Sequence, residues 1–263
     1  MTRASKRKSD LQSPASDKIP RVDSVRSASN KDAKKGYQRI DAIYNKYANK
    51  SSGMIESVQE HGEYMVKNEY VAIDCLDFLE MVIWSNERYL EGIEALCSDI
   101  EVDYTDVRIL MLAWKMNAQT QGYFTQDEWR RGLKALRIDT INKLKKALPE
   151  LEKEVLKSEN FEDFYNYAFH YCLTEEKQKC LDIESTCILI DLVLGFQYQP
   201  QVDSFIKFLK IQSDYKVMNK DQWTNFLRFC QEISFPDLQN YDICGAWPVL
   251  LDNFVDWLKQ KVM

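Results

Sequence analysis

Three times along this chain an apolar residue is followed by a helix-capping residue and, three places beyond the cap, by a polar partner. The three copies are Phe124-Thr125-x-x-Glu128, Leu181-Asp182-x-x-Ser185 and Met218-Asn219-x-x-Gln222. In the first and third, the cap oxygen and the Glu or Gln side chain can each satisfy a free backbone N–H, the reciprocal chemistry of a capping box; the second supplies the cap alone. Such a signal starts helices, and helical spacing recurs around it. Ile40, Ile43, Tyr44 and Tyr47 form one stripe, which residues 49–53 end. Val71, Ile73, Leu76, Phe78, Leu79, Val82 and Ile83 predict at least one further helix, and Leu90, Ile93, Ala95 and Leu96 the next. Beyond them the spacing predicts helices over 107–116, 129–136, about 140–156, 161–172, 185–194, 202–209, 222–233 and 247–259. No period-two alternation is sustained, and 8 Gly and 6 Pro in 263 residues leave few tight turns. The predicted class is all-α.

The first copy of the signal resembles the end of an EF-hand loop. With Gly122 as the sixth position, Asn117 is the first, Gln119 the third, Gln121 the fifth and Glu128 the twelfth. The spacing fits but the chemistry does not. Calcium is held by several carboxylates, and the first, third and fifth positions here are neutral amides. The chain is therefore expected to consist of EF-hand-like helix–loop–helix units that bind no calcium.

Charge divides the chain. Residues 1–36 hold ten Lys and Arg against four Asp, whereas the whole chain carries −6, so the remainder carries −12. The first 36 residues are rich in Ser, Lys and Asp and poor in large apolar groups, and a disordered basic tail is expected there. Lys6-Arg7-Lys8 within it reads as a nuclear-import signal, giving a nuclear location with some cytoplasmic protein. An acidic body does not suit a nucleic-acid clamp, and no apolar run approaches the ~20 residues of a membrane span. No apolar segment follows the N-terminal basic residues, so no secretory signal is expected. The seven cysteines (Cys75, Cys97, Cys172, Cys180, Cys187, Cys230 and Cys244) include no CxxC pair and read as buried small apolar groups in a reducing compartment. With His61 and His170 as the two histidines, a structural zinc site is not expected. His170 sits in an aromatic helix (Phe161, Phe164, Tyr165, Tyr167, Phe169) that reads as core, and Gly195 and Gly245 stand alone rather than in a phosphate loop. No nucleophile–base pair is evident, so a binding protein is expected rather than an enzyme, with no cofactor.

The clearest binding feature is at the C-terminal end. Over 240–260 the apolar residues Trp247, Leu250, Leu251, Phe254, Trp257 and Leu258 fall on one helical face, which is expected to be buried, with Asp252 and Asp256 on the other. No Lys or Arg lies between Arg228 and Lys259, while Glu232, Asp237, Asp242, Asp252 and Asp256 do. A local negative field of this kind fits a basic protein surface.

Residues 241–256, with their GAWPVLLDNFV core, resemble the C-terminal signature of the defective-in-cullin-neddylation (DCN-like) family and its potentiating-neddylation domain. Residues 110–124 (LMLAWKMNAQTQGYF) and 215–223 (YKVMNKDQW) extend the likeness, and the basic tail is similar to that of nuclear members. The resemblance runs well from about 90 to 257 and includes 40–48. It implies an all-α domain over 37–263, with an insertion at 55–86, built from EF-hand-like units without calcium. It implies a scaffold-type co-E3 for neddylation that carries no nucleophile. Its partners would be a cullin C-terminal domain, the N-terminally acetylated neddylation conjugating enzyme and, indirectly, the cullin-associated RING protein. The family's Asp-Ala-Asp patch, which meets the winged-helix end of the cullin, falls on Asp221, Ala246 and Asp252. The pocket for the conjugating enzyme's acetylated Met falls on Leu90, Ile93, Ile109, Leu112, Ala113, Gln121, Phe124, Tyr171, Leu189 and Leu192. Acetylation suits such a pocket, because a free ammonium is costly to bury and a neutral amide needs only a hydrogen bond.

The chain departs from the family pattern in three places. One is the 55–86 segment, another is a one-residue lengthening near Phe235-Pro236, and the third is Ile243-Cys244, which stand where acids are usual. A different reading of the same helices is a divergent EF-hand-like adaptor or calcium sensor unrelated to neddylation.

Overall fold

The computed structural model describes residues 22–56, 92–175 and 177–262, with side chains over 34–260. Contacts divide the chain into two units, Met1–Gly36 and Tyr37–Met263. Helix α1 spans Val22–Tyr47 and so begins inside the stretch expected to be disordered. No Gly or Pro stands between Val22 and Lys35, so nothing local stops a helix there. Strand β1 (Ile55–Glu56) follows, then α2 (Ile93–Ile100), α3 (Val107–Met116), β2 (Tyr123–Phe124), α4 (Gln126–Ala135), α5 (Ile141–Val155) and α6 (Ser158–Tyr171). The rest is β3 (Cys180–Asp182), α7 (Ile183–Ile211), β4 (Val217–Asn219), α8 (Lys220–Glu232) and α9 (Val249–Val262).

All three capping signals start helices. The Thr125 side chain accepts from Glu128 N–H ahead of α4, and Asp182 Oδ1 accepts from Ser185 N–H at 2.8 Å ahead of α7. Ahead of α8, Asn219 Oδ1 accepts from Gln222 N–H at 2.9 Å while Gln222 Oε1 accepts from Asn219 N–H at 3.0 Å. The residues just before these caps form two antiparallel ribbons that alternation could not reveal, because strands of two or three residues are too short to show a period. In one ribbon Ile55 faces Phe124; in the other Leu181 faces Met218. The apolar members of the signals are thus cross-strand partners that tie neighbouring helix–loop–helix units together. Ile55 and Glu56, expected to open an insertion, belong to this framework. The rest of that segment, the helix expected over 71–83, Leu90 and the Lys6-Arg7-Lys8 cluster lie outside the described residues.

The first EF-hand-like loop closes on its own carboxylate. Gly122 has φ +78°, a conformation that glycine adopts without strain. Buried Glu128 accepts from Gln119 N–H at 2.9 Å through Oε1, and from Thr125 N–H and Oγ1, both at 2.8 Å, through Oε2. Among the described residues no three His, Cys, Asp or Glu side chains cluster as a metal site would need.

The C-terminal core is aromatic. Tyr165 stacks on Trp223 with ring centroids 4.3 Å apart, and each ring's polar group donates to the other's backbone carbonyl, at 3.0 and 3.1 Å. Phe205 stacks on Phe226 at 4.0 Å, and Phe254 of α9 packs edge-on against Phe205 at 5.0 Å and Phe229 at 5.6 Å. Helix α7, expected as two helices, is broken at Tyr198 (φ −129°, ψ 37°), two residues before Pro200, which lacks an N–H and crowds the carbonyl four residues back. Helix α9 starts at Val249, two residues later than the spacing suggested, because Trp247 and Pro248 belong to the entering turn.

Burial corrects several expectations. Ala95 is exposed, since the inward face of α2 is Ile93, Leu96, Cys97 and Ile100. His170 points outward from an otherwise packed α6. Cys97, Cys187 and Cys230 are buried, Cys172 and Cys180 are half-buried, and Cys244 is exposed on a turn. Burial pushes the Cys97 and Cys172 thiols up to about 12. Among the described residues no helix is long and apolar enough to cross a membrane.

Candidate functional site

Two surfaces stand out, and no element contributes to both. The first is an apolar cleft of about 50 Å³ formed where α2, α3, the loop before α4, the end of α6 and the first half of α7 converge. Eight of the ten residues expected in a pocket line it: Ile93, Ile109, Ala113, Gln121, Phe124, Tyr171, Leu189 and Leu192. Leu112 does not. It lies about 100° round the helix from Ala113 and is wholly buried in the core. Tyr104, Thr105, Asp106, Leu110, Gly122 and Cys172 complete the lining; the first three escape sequence reasoning because they lie on a loop without periodicity.

The polar rim is built from local caps. Asp106 caps α3, accepting from Arg108 N–H at 2.9 Å and from Arg108 Nε at 2.8 Å. Burial opposes ionisation of Asp106, but the Arg108 hydrogen bonds and charge outweigh it and hold the carboxyl below its usual range. On the floor, burial raises the Tyr171 phenol, whose oxygen meets the Gly122 backbone. Tyr171 stacks on Tyr167 at 5.3 Å, and Tyr167 donates to Ala118 O at 2.9 Å. The result is a hydrophobic slot with an ion pair at its mouth. It can hold a small apolar group and leave a neighbouring polar group at the rim.

The second surface is acidic and lies on α8, α9 and the turn between them. Asp221 is exposed in the first turn of α8, where Asn225 Nδ2 donates to its backbone oxygen and to Oδ1. Ala246 is exposed on the turn into α9, and Asp256 is exposed one turn beyond Asp252. Asp252, expected on the open face, is half-buried: the Tyr241 hydroxyl donates to its Oδ1 at 2.7 Å. Tyr241 is itself fixed, stacked on Trp247 at 5.4 Å and edge-on to Phe229 at 6.1 Å. The Arg228 guanidinium lies 4.3 Å from the centre of the Trp247 ring and pairs with Glu232 at 2.9 Å, so this base is already engaged. Leu250, Leu251 and Phe254 are buried as expected, whereas Trp247, Trp257 and Leu258 are half-buried. Asn253, beside Asp252, donates to the Tyr215 hydroxyl at 2.8 Å, which ties the turn before β4 to α9. Tyr241 as the residue that orients Asp252 was not foreseen; the signal for it is a Tyr in the run that enters the acidic helix.

Helix–loop–helix units carrying an apolar slot and a separate acidic face define a helical protein-docking module. Residues 143–257 match the family described as "Cullin binding". The chain is 41% identical to human DCN1-like protein 4 over 239 residues, covering 90% of this chain and 77% of that protein. It is 44% identical to zebrafish DCN1-like protein 4 over 173 residues (66% and 60%) and 41% identical to human DCN1-like protein 5 over 171 residues (65% and 70%). The chain belongs to the DCN1-like, defective-in-cullin-neddylation family.

Proposed function

We propose that this chain is a non-catalytic, scaffold-type co-E3 that brings a cullin and the neddylation conjugating enzyme together. Membership of its family gives it a role in cullin neddylation. The observation that carries the finer reading is that the cullin-binding match over 143–257 takes in Asp221, Ala246 and Asp252. Ala246 and Asp252 lie, with Asp242 and Asp256, in a sequence window that has no Lys or Arg between 228 and 259, and Asp221 is exposed in the first turn of α8. That face is assigned to the winged-helix end of a cullin C-terminal domain. The apolar cleft is assigned to the acetylated N-terminal Met of the conjugating enzyme. With both partners held, the acceleration comes from proximity and orientation of the thioester and the acceptor lysine. The RING protein joins through the cullin, and Lys6-Arg7-Lys8 directs part of the protein to the nucleus.

The test is calorimetric titration of the full chain with a cullin C-terminal domain. Asp252→Arg should weaken binding by about 2–5 kcal/mol or more, the range for truncating one member of a desolvated charge pair. The fold should survive, because the loss is one half-exposed hydrogen bond of about 1 kcal/mol. Equal affinity of Asp252→Arg and wild type would remove the acidic face from the interface.

A further inference from the structure

Six large apolar side chains are exposed among the described residues, and two of them, Ile243 (62% exposed) and Val249 (67%), flank Ala246 on the way into α9. A single exposed Ile needs no explanation; the way this one is held does. Ile243 and Cys244 are the central residues of a turn closed by Gly245 N–H donating to Asp242 O at 3.0 Å. Asp242 Oδ1 also accepts from Cys244 N–H at 2.9 Å, and Trp247 N–H donates to Gly245 O at 2.8 Å. A Cβ on Gly245 would lie 2.9 Å from Asp242 O and 3.0 Å from Trp247 Nε1, so the turn is seated against the indole and only glycine fits there. Trp247 is clamped in turn by Tyr241 and Arg228. The tip is therefore rigid, and Ile243 is displayed in solvent rather than free to fold inward. Asp242 precedes it in the turn, and Asp252 is held by Tyr241, two residues before Ile243.

We propose that Ile243, seconded by Val249, is a specificity-determining contact of the acidic face: an apolar knob received by a hollow on the cullin C-terminal domain that is ringed by Lys or Arg. This rests on the cullin reading above and names the partner surface it selects, one with an apolar centre rather than a uniformly basic one. Rigid display favours such a contact, because no ordering of the knob is needed on binding.

The sign of one substitution separates this from a face that works by charge alone. If charge alone mattered, Ile243→Glu would add an acid opposite a basic surface and tighten binding. If the knob is buried, Ile243→Glu forces a carboxylate into an apolar hollow and weakens binding by about tenfold or more. Ile243→Ser, which only removes apolar area, should weaken it by about fivefold, and Val249→Ser by less. The measurement is titration of the full-length variants with a cullin C-terminal domain at low and raised salt. Ile243→Ser should weaken binding by the same factor at both, because apolar burial, unlike an ion pair, is not screened by salt. All three variants should melt with the wild type, their side chains being exposed in the free protein. Binding of Ile243→Glu as tight as or tighter than wild type would overturn the apolar knob while leaving the cullin reading intact. Failure of the wild type itself to bind would overturn the cullin reading and the knob with it.

Discussion

Glu128 shows what one side chain does when a loop keeps a shape but not the cargo associated with it. Its two oxygens accept three hydrogen bonds from Gln119 and Thr125, and its own N–H completes the capping box. The carboxylate serves as the internal closure of the loop. Glu128→Ala leaves the Gln119 and Thr125 N–H groups without their acceptor and removes half of the capping box. Stability should fall by about 2 kcal/mol, read from the midpoint of urea unfolding at unchanged slope. A change under about 0.5 kcal/mol would mean that water replaces the carboxylate freely. At this scale the sequence was legible where chemistry is local. The caps at Thr125, Asp182 and Asn219 needed only a side-chain type and a spacing of three. It was illegible where position depends on a distant partner. Asp252 reads as an outward acid until Tyr241, eleven residues earlier, is seen to hold it, and Cys244 reads as a buried thiol until the turn beneath it is built.

Helices and ribbons were read with uneven success for the same reason. Helix α3 has the predicted limits, Val107–Met116, because a cap precedes it and its apolar spacing is regular. The ribbons escaped because strands so short carry no pattern, although the apolar residue of each capping signal was already in view. Helix α3 also carries a pH signature at its cap. Asp106 is held below the usual carboxylate range by Arg108 against the opposing effect of burial. A carboxyl whose folded pKa is lowered contributes stability that is complete above its unfolded pKa, about 4, and is lost as pH falls through the lowered folded value. Asp106→Asn keeps an oxygen for the cap but cannot titrate. Its stability should therefore fall less steeply below about pH 4 than that of the wild type in acid-induced unfolding. Parallel acid limbs for the two proteins would place the titrating groups elsewhere.

At the scale of the molecule, cleft and acidic face are built from different elements. The cleft takes α2, α3, α6 and the first half of α7; the face takes α8, α9 and the turn between them. Changes at separated sites add to within about 0.5 kcal/mol, so the two partners should bind independently. A peptide carrying the conjugating enzyme's acetylated N-terminus should bind wild type and Asp252→Arg with the same affinity, and the non-acetylated peptide should bind neither. Tight binding of the free amine would overturn the cleft assignment, and a large loss with Asp252→Arg would show coupling that the architecture does not predict. The fold class was readable before any coordinates because it follows from helical spacing, whereas the pocket positions came from the family resemblance alone, and eight of those ten line the cleft; Tyr104, Thr105 and Asp106 sit on a loop, where spacing carries no information. The mutual aim of the two surfaces was not readable at all; it is set by the Tyr165–Trp223 tie between α6 and α8 and by the break of α7 at Tyr198. On one side of that break α7 lines the cleft through Leu189 and Leu192; on the other, Phe205 and Phe208 pack against Phe254 of α9. Residues 199–211 form a lever arm roughly 20 Å long, so a swing of about 10° at Tyr198 displaces its far end by about 3 Å. Two backbone torsions thus carry the leverage of a joint in a pair of tongs, one jaw the cleft and the other the acidic face.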